Sequence, residues 1–213
     1  VHLYKTLPST NSFAKSLIAA GAAHGTVIWA LEQTAGRGRR GRSWFADNNT
    51  LTLSVIWRLP DYIKAGQLPL ALGLAIAREL QGYSSDITVK WPNDLYWNGR
   101  KLSGILTELA GEMGRLESVI LGVGLNVNQK PADFPAEIRE QAASLWMIKE
   151  RPVDRKALLR HYLEVLETEY FQALNNGFDG VLEYCRQYSY TLGRHVTVTN
   201  GAQTFSGTAV AID

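Results

Sequence analysis

The chain has 213 residues, enough for one substantial core or a core with a small satellite unit. Hydrophobic residues make up 46% and charged residues 20%, which excludes a disordered chain, and no apolar run approaches the roughly 20 residues that a membrane span needs. The net charge of +2 selects no partner class, but its distribution is uneven: no acid stands between Glu32 and Asp47, where Arg37, Arg39, Arg40 and Arg42 fall together.

In chain order, residues 2–7 read as a short strand, and Pro8-Ser9-Thr10 opens a helix because a Ser or Thr side chain can cap its free N–H groups. Phe13, Ala14, Leu17 and Ile18 repeat at helical spacing up to Gly21. Thr26–Leu31 and Leu51–Trp57 are predicted strands, and Leu68–Gln81 a helix stopped by Gly82. Ile87–Trp91 is a strand halted by Pro92, and Asn98-Gly99 is a strong hairpin signal. Lys101–Ala110 and Leu116–Val127 are expected to pair through a turn near Gly111–Gly114. Pro131–Glu150 should hold a loop and a short helix. Asp154 caps a long helix whose inner face is Leu158, Tyr162, Val165, Leu166, Tyr170 and Leu174, and a shorter helix covers about Phe178–Tyr188. After Gly193, Val196, Val198, Phe205, Val210 and Ile212, with a turn at Asn200-Gly201, suggest short strands of a small barrel. Consecutive strands with helices gathered elsewhere argue for an α+β fold with a mixed or antiparallel sheet.

The one cysteine, Cys185, cannot form an internal disulfide, so a reducing compartment such as the cytoplasm is expected. His2, His24, His161 and His195 lack metal-ligand spacing. Val1–Lys5 meets charge too early for a signal peptide, and the start at Val leads us to expect further sequence upstream.

Four segments carry chemistry. Gly36-Arg37-Gly38-Arg39-Arg40-Gly41-Arg42, before Ser43-Trp44-Phe45, combines glycines that allow positive φ with guanidinium forks that match phosphate or carboxylate oxygens. It reads equally as an anion-wrapping loop or as a nucleic-acid-binding stretch; the flanking strands and Gln33 favour a pocket. In Val89-Lys90-Trp91-Pro92-Asn93-Asp94 the hairpin should bring Lys90, Asp94 and Lys101 together, where the alternative is a solvated surface hairpin. Ser9-Thr10-Asn11 is sufficient as a helix start, yet its hydroxyl and amide groups also suit a neutral polar ligand head. Gly122-Val123-Gly124-Leu125-Asn126-Val127 permits close backbone approach but has neither dinucleotide-fingerprint nor P-loop spacing. Trp57, Trp91 and Trp97 are assigned to the core, whereas Trp44, next to the arginine loop, is placed on a purine face.

Taken together, these segments resemble the catalytic domain of biotin protein ligases. The residues that carry the resemblance are Ser9-Thr10-Asn11, Glu32 through Arg42, Lys90-Trp91-Pro92-Asn93-Asp94, Lys101-Leu102-Ser103-Gly104-Ile105-Leu106 and Gly122 through Val127, in that order along about residues 3–190. The resemblance implies a mixed sheet with flanking helices, akin to class II aminoacyl-tRNA synthetases, over residues 1–191, with 192–213 as the start of a small SH3-like barrel. Unlike regulatory members, the chain shows no DNA-binding domain before residue 3, and it stops at Asp213 inside the expected barrel.

By the same resemblance, Lys101, Arg37, Arg39 and Asp94 are catalytic. Ser9, Thr10, Asn11, Gln33, Arg37, Gly38, Arg39, Lys101 and Gly104 bind biotin, with the first four on its ureido head. Arg37, Arg39, Arg40, Trp44, Lys90, Asn93, Lys101 and Asn126 hold ATP or the adenylate, and Mg2+ accompanies ATP. Asp94 orients or deprotonates the incoming lysine amine, and Arg40 and Arg42 steer the carrier. The implied partners are a biotin carboxyl carrier domain and, from edge strands and family habit, a second copy of the chain; a membrane is not among them. Two rivals remain: a lipoate or octanoyl ligase, whose relatives generally lack the Gly-Arg-Gly-Arg-Arg-Gly loop, and a nucleic-acid-binding module, which leaves Lys90, Asp94 and Lys101 unexplained.

Overall fold

Alternation in one strand sets the two faces of the main sheet. In β3 (Thr50–Arg58), Leu51, Leu53, Val55 and Trp57 enter one hydrophobic cluster, while Thr50, Thr52, Ser54 and Ile56 project to the opposite side. Both sets are buried, so the strand lies between two layers of structure. The computed structural model describes residues 1–58, 68–112, 115–177, 179–200 and 203–212.

β3 belongs to a seven-stranded sheet with β1 (His2–Leu7), β2 (Thr26–Gln33), β4 (Ile87–Lys90), β5 (Asp94–Trp97), β6 (Arg100–Glu112) and β7 (Arg115–Asn126). The order is β1-β2-β3-β7-β6-β5-β4; β1 runs parallel to β2, and the other neighbours are antiparallel. The expected α+β class with a mixed sheet is therefore what the chain adopts. Helix α1 (Thr10–Ala19) covers one face through Ala14, packed with Leu7, Ile28, Ala30, Ile56 and Ile120. On the other face lie α2 (Leu68–Gln81) and α4 (Arg155–Asn176), which pack on each other, with α5 (Asp179–Gln187) beside α2. α3 (Leu145–Lys149) is the short helix of the 131–150 segment.

Capping places the helix starts. The Ser9 hydroxyl accepts from Ser12 N at 3.4 Å, and the Asp154 carboxylate accepts from the amides of Lys156 and Ala157. The α4 face is buried at Leu158, Tyr162, Leu166 and Tyr170 as its spacing requires, while Val165 and Leu174 are only partly buried. Asn98 and Gly99 take φ of 48° and 75°, the pair of left-handed residues that a two-residue β5–β6 hairpin demands, and Trp97 pairs directly with Arg100. The Trp91–Pro92 peptide is cis.

The texture change after Gly193 corresponds to a separate hairpin, β8 (His195–Asn200) with β9 (Gln203–Thr208), outside the main sheet. Val198 pairs with Phe205, and both are more than half exposed. Ile212 nevertheless packs into the main core, and its carbonyl accepts from the Arg186 guanidinium at 3.1 Å. The expected turns at 111–114 and 200–201 fall partly on residues 113–114 and 201, and Phe178 opened the expected last helix; these lie outside the described residues. Among the described residues no helix is long and apolar enough to cross a membrane.

Candidate functional site

The sheet face under α1 carries a trough. Across four strands the register aligns Thr52, Gly124, Gly104 and Asp94, and the next row aligns Ser54, Gly122 and Leu106. Directly opposed residues share a face, so the two central glycines leave a gap between Thr52 and Asp94. The Trp44 indole fills it: a Cβ at Gly124 would stand 2.3 Å from the ring, and one at Gly104 3.3 Å from it. At Gly122 a Cβ would meet Asn11 Oδ1 at 2.2 Å. These glycines serve close approach, not positive φ.

The N-terminus of α1 closes one end of the trough. Thr10 donates to Gln33 Oε1 from its amide at 2.7 Å and from its hydroxyl at 3.1 Å, which joins the helix start to the end of β2. The Ser54 hydroxyl lies 2.8 Å from Thr10 Oγ1 and 2.6 Å from Asn11 Oδ1 and donates to one of them. Asn11 Nδ2 donates to Leu106 O at 3.2 Å and Glu108 Oε2 at 2.9 Å. Ser9, Thr10 and Asn11 are all buried, so this helix start is more than a cap.

The Gly/Arg segment folds as a miniature hairpin. Gly38 N donates to Arg42 O at 2.7 Å and Trp44 N to Gly36 O at 2.9 Å, with Arg37 bridged to Ser43 and a tight turn over Arg39–Gly41. Gly36 is required because a Cβ there would lie 2.4 Å from Trp44 O, and Gly41 because its φ is 74°. The hairpin delivers Arg37 and Arg39 inward. Arg39 donates to Asn93 Oδ1 at 2.6 Å, and Arg37 Nη2 donates to Glu108 Oε2. Burial would push the Glu108 carboxyl up, but hydrogen bonds from Lys15 and Asn11 and the charge of Arg37 hold it below its ordinary value.

Lys101 and Asp94 form an ion pair at 2.8 Å, with the Lys101 ammonium 5.7 Å from the centre of the Trp44 ring. Two cavities meet there. The first, about 50 Å³, is bounded by Ser9, Thr10, Asn11, Gln33, Arg37, Gly38, Arg39, Asn93, Gly104 and the glycines of β7. The second, about 250 Å³, is bounded by Arg42, Phe45, Tyr96, Asn126, Ile138 and Gln141. Trp44, Asp94 and Lys101 line both. A ligand larger than a few waters enters the first only if Trp44 or Arg37 yields. Thr52 Oγ1 and Trp44 Nε1 are buried in its wall without a protein partner, an arrangement suited to a ligand that brings polar atoms.

Most of the expected site residues thus converge, including Lys101 and Arg37 in one cavity. Two do not line either cavity. Lys90 was expected beside Asp94 and Lys101; it pairs with Asp94 in the β4–β5 ladder, but its ammonium stands 4.6 Å from the Tyr96 ring centre and 3.1 Å from the Tyr96 hydroxyl. Arg40, in the left-handed conformation at the hairpin tip, lines only an outer groove. Asn126 reaches the second cavity, yet its Nδ2 donates to Ala143 O at 2.9 Å and to Lys101 O at 3.4 Å, so it clamps the 141–144 loop to β6. Sequence reasoning passed over Thr52, Ser54 and Glu108. The alternation of β3 was the available signal for the first two; nothing in the local sequence distinguished Glu108 from a solvated strand residue.

A profile described as the Biotin/lipoate A/B protein ligase family matches residues 3–126, a span that contains Ser9 through Asn126. The chain is 38% identical over 216 residues to the bifunctional ligase/repressor BirA of Bacillus subtilis, covering 99% of this chain and 66% of that protein. It is 37% identical over 214 residues to the biotin–[acetyl-CoA-carboxylase] ligase of Mycobacterium tuberculosis, covering 96% of this chain and 77% of the relative. Among solved structures it resembles the biotin protein ligase of Aquifex aeolicus in complex with biotin and ATP, with a TM-score of 0.86 and 30% identity over 100% of this chain and 88% of that one. The chain thus spans slightly less than two thirds of the length of its Bacillus relative.

Proposed function

The chain belongs to the biotin/lipoate A/B protein ligase family, and on that premise we propose that it adenylates biotin with ATP and transfers the biotinyl group to a lysine of a biotin carboxyl carrier domain. The observation that carries this reading is the pair of cavities that share Trp44, Asp94 and Lys101. The names of the Mycobacterium and Aquifex relatives support the choice of carrier, biotin and ATP.

A carboxylate is a poor electrophile until it carries a leaving group, so its oxygen attacks the α-phosphate of ATP and pyrophosphate departs. Bringing one anion against another costs about 1 kcal/mol per charge pair in water at close contact and about 4 kcal/mol at the effective dielectric near a protein surface. Lys101, at the junction of the cavities, faces both the carboxylate and the α-phosphate, while Arg37 and Arg39 add positive charge from the hairpin. Ser9, Thr10, Asn11 and Gln33 hydrogen-bond the ureido head in the first cavity, with Gly38 and Gly104 giving close contact. Adenine lies in the second cavity beside Trp44 and Asn126. Asn93 holds Arg39 in place, and Lys90 and Arg40 stand outside both cavities. Asp94 holds the Lys101 ammonium and then orients the carrier amine, which attacks the acyl carbon as AMP leaves.

No group of three or more His, Cys, Asp or Glu side chains among the described residues is built to hold a metal. Magnesium would enter on the nucleotide's phosphates and would neutralise charge there. In this reading residues 1–191 hold the adenylation site and 192–213 open a second, SH3-like unit, supported by the separate β8–β9 sheet. A homodimer belongs to the same reading: the outer edge of β4 is taken by Ser189, which leaves β1 as the open edge of the main sheet among the described residues.

Incubation with biotin and ATP-magnesium should yield biotinyl-adenylate, detected by mass; lipoate in place of biotin should yield no adduct. Product from lipoate alone would assign the chain to the other branch of the family. Arg39→Gly removes the Asn93 contact and loosens the hairpin, so free biotinyl-adenylate should leave the enzyme about tenfold faster. Release at the wild-type rate would contradict a retaining role for Arg39.

A further inference from the structure

Glu108 lies on β6 four residues beyond Gly104 and lines neither of the two cavities, yet three donors, two from α1 and one from the Gly/Arg hairpin, converge on it. Oε1 accepts from Lys15 Nζ at 2.7 Å; Oε2 accepts from Asn11 Nδ2 at 2.9 Å and from Arg37. Its side chain is 19% exposed, whereas Lys15 and Arg37 are about half in solvent. Two of the three donors belong to the site. Asn11 reaches it from α1, fixed also by Leu106 O and Ser54. Arg37 reaches it from the base of the hairpin, where the next cross-link is the Trp44 N–H to Gly36 O bond. A shift of Arg37 therefore carries to Trp44, the wall common to both cavities.

We propose that Glu108 is a positioning residue that latches the Gly/Arg hairpin over the activated intermediate. It does so by holding Arg37 to the strand that bears Lys101, and it orients the Asn11 amide with the same carboxylate. This rests on the biotin-adenylation reading. An exposed ion pair between two surface side chains would do little. Here a partly buried carboxylate serves three donors at once, and charge-assisted bonds of that kind fix geometry. A glutamine keeps the shape but turns an NH2 group toward at least one of the three donors, so it cannot satisfy the same set.

The test loads wild type, Glu108→Gln, Lys15→Met, Arg37→Gln and the Arg37→Gln/Glu108→Gln double variant with biotin and ATP-magnesium, then measures the release rate of biotinyl-adenylate. Glu108→Gln should release it about tenfold faster, with adenylate formation within about threefold of wild type and Tm nearly unchanged. The double variant should accelerate release by less than the product of the two single effects, because both singles remove the Arg37–Glu108 contact. Lys15→Met, which leaves the Arg37 and Asn11 bonds, should stay within about twofold of wild type. Should Glu108→Gln fail to fold, Glu108→Asp, too short to reach Arg37 and Asn11 together, carries the same expectation. Wild-type release from the Glu108 variant, additive effects in the double variant, or an equal acceleration by Lys15→Met would each overturn the latch alone. A wild-type enzyme that forms no biotinyl-adenylate would instead sink the ligase reading and the latch with it.

Discussion

Lys101→Ala is expected to lower biotin-dependent ATP–pyrophosphate exchange by about a thousandfold while the protein stays folded. The magnitude follows from the charge removed: an opposing anion about 4 Å away is worth about 4 kcal/mol at the effective dielectric near a protein surface, and about 1.4 kcal/mol is a factor of ten. The fold should survive because the structural bonds of this residue are made by its backbone. Its carbonyl accepts from Ala143 N at 2.8 Å, which alanine preserves. The Asp94 carboxylate, left without its ammonium, still accepts from Asn93 Nδ2 at 3.0 Å. Circular dichroism and a melting curve report the fold, and the exchange assay reports the chemistry. Exchange within tenfold of wild type in a folded variant would remove Lys101 from the junction of the reactants.

Gly124→Ala should weaken biotin binding by about fivefold or more. The backbone there is not in the left-handed region, so alanine strains no dihedral; the conflict is one of space. The new methyl would lie 2.3–2.6 Å from the indole of Trp44, which already rests near Gly104 on the adjacent strand. Forcing an extra methyl into packed surroundings costs about 1–3 kcal/mol, a factor of roughly 5 to 150 in affinity when it falls on a ligand wall. The indole must leave the trough, which shifts the tryptophan emission as its surroundings change. Titration calorimetry gives the affinity and fluorescence the displacement. An unchanged Kd together with unchanged emission would show that the glycine row does not shape the cavity.

Many elements were legible from short-range patterns. Leu68–Gln81 matches its expected span, and Asn98-Gly99 makes the hairpin its dipeptide requires. The Gly/Arg run, the 89–94 segment and Lys101 marked the region of the site in one dimension. Lys90 illustrates the limit. It pairs with Asp94 in the ladder, and sequence spacing alone puts it beside Lys101. The Tyr96 ring and hydroxyl take its ammonium instead. Thr52 and Ser54 show the converse. Their alternation with Leu and Val marked a strand and no more, but α1 packs on that face, and both are buried at the site.

Residue chemistry and spacing along the chain were enough for the strands and helices, for their caps and turns, and for the set of cations that an adenylating site needs, because each depends on neighbours a few positions apart. The union of those cations in one place was not encoded at that range. Gly104 and Gly124 are twenty residues apart and become a single trough only when β6 and β7 pair in register. Arg37 meets Glu108, and Asn11 meets Gly122, across far longer stretches of chain. Such contacts depend on strand order and on the packing of α1 against the sheet, which are cooperative properties of the whole fold.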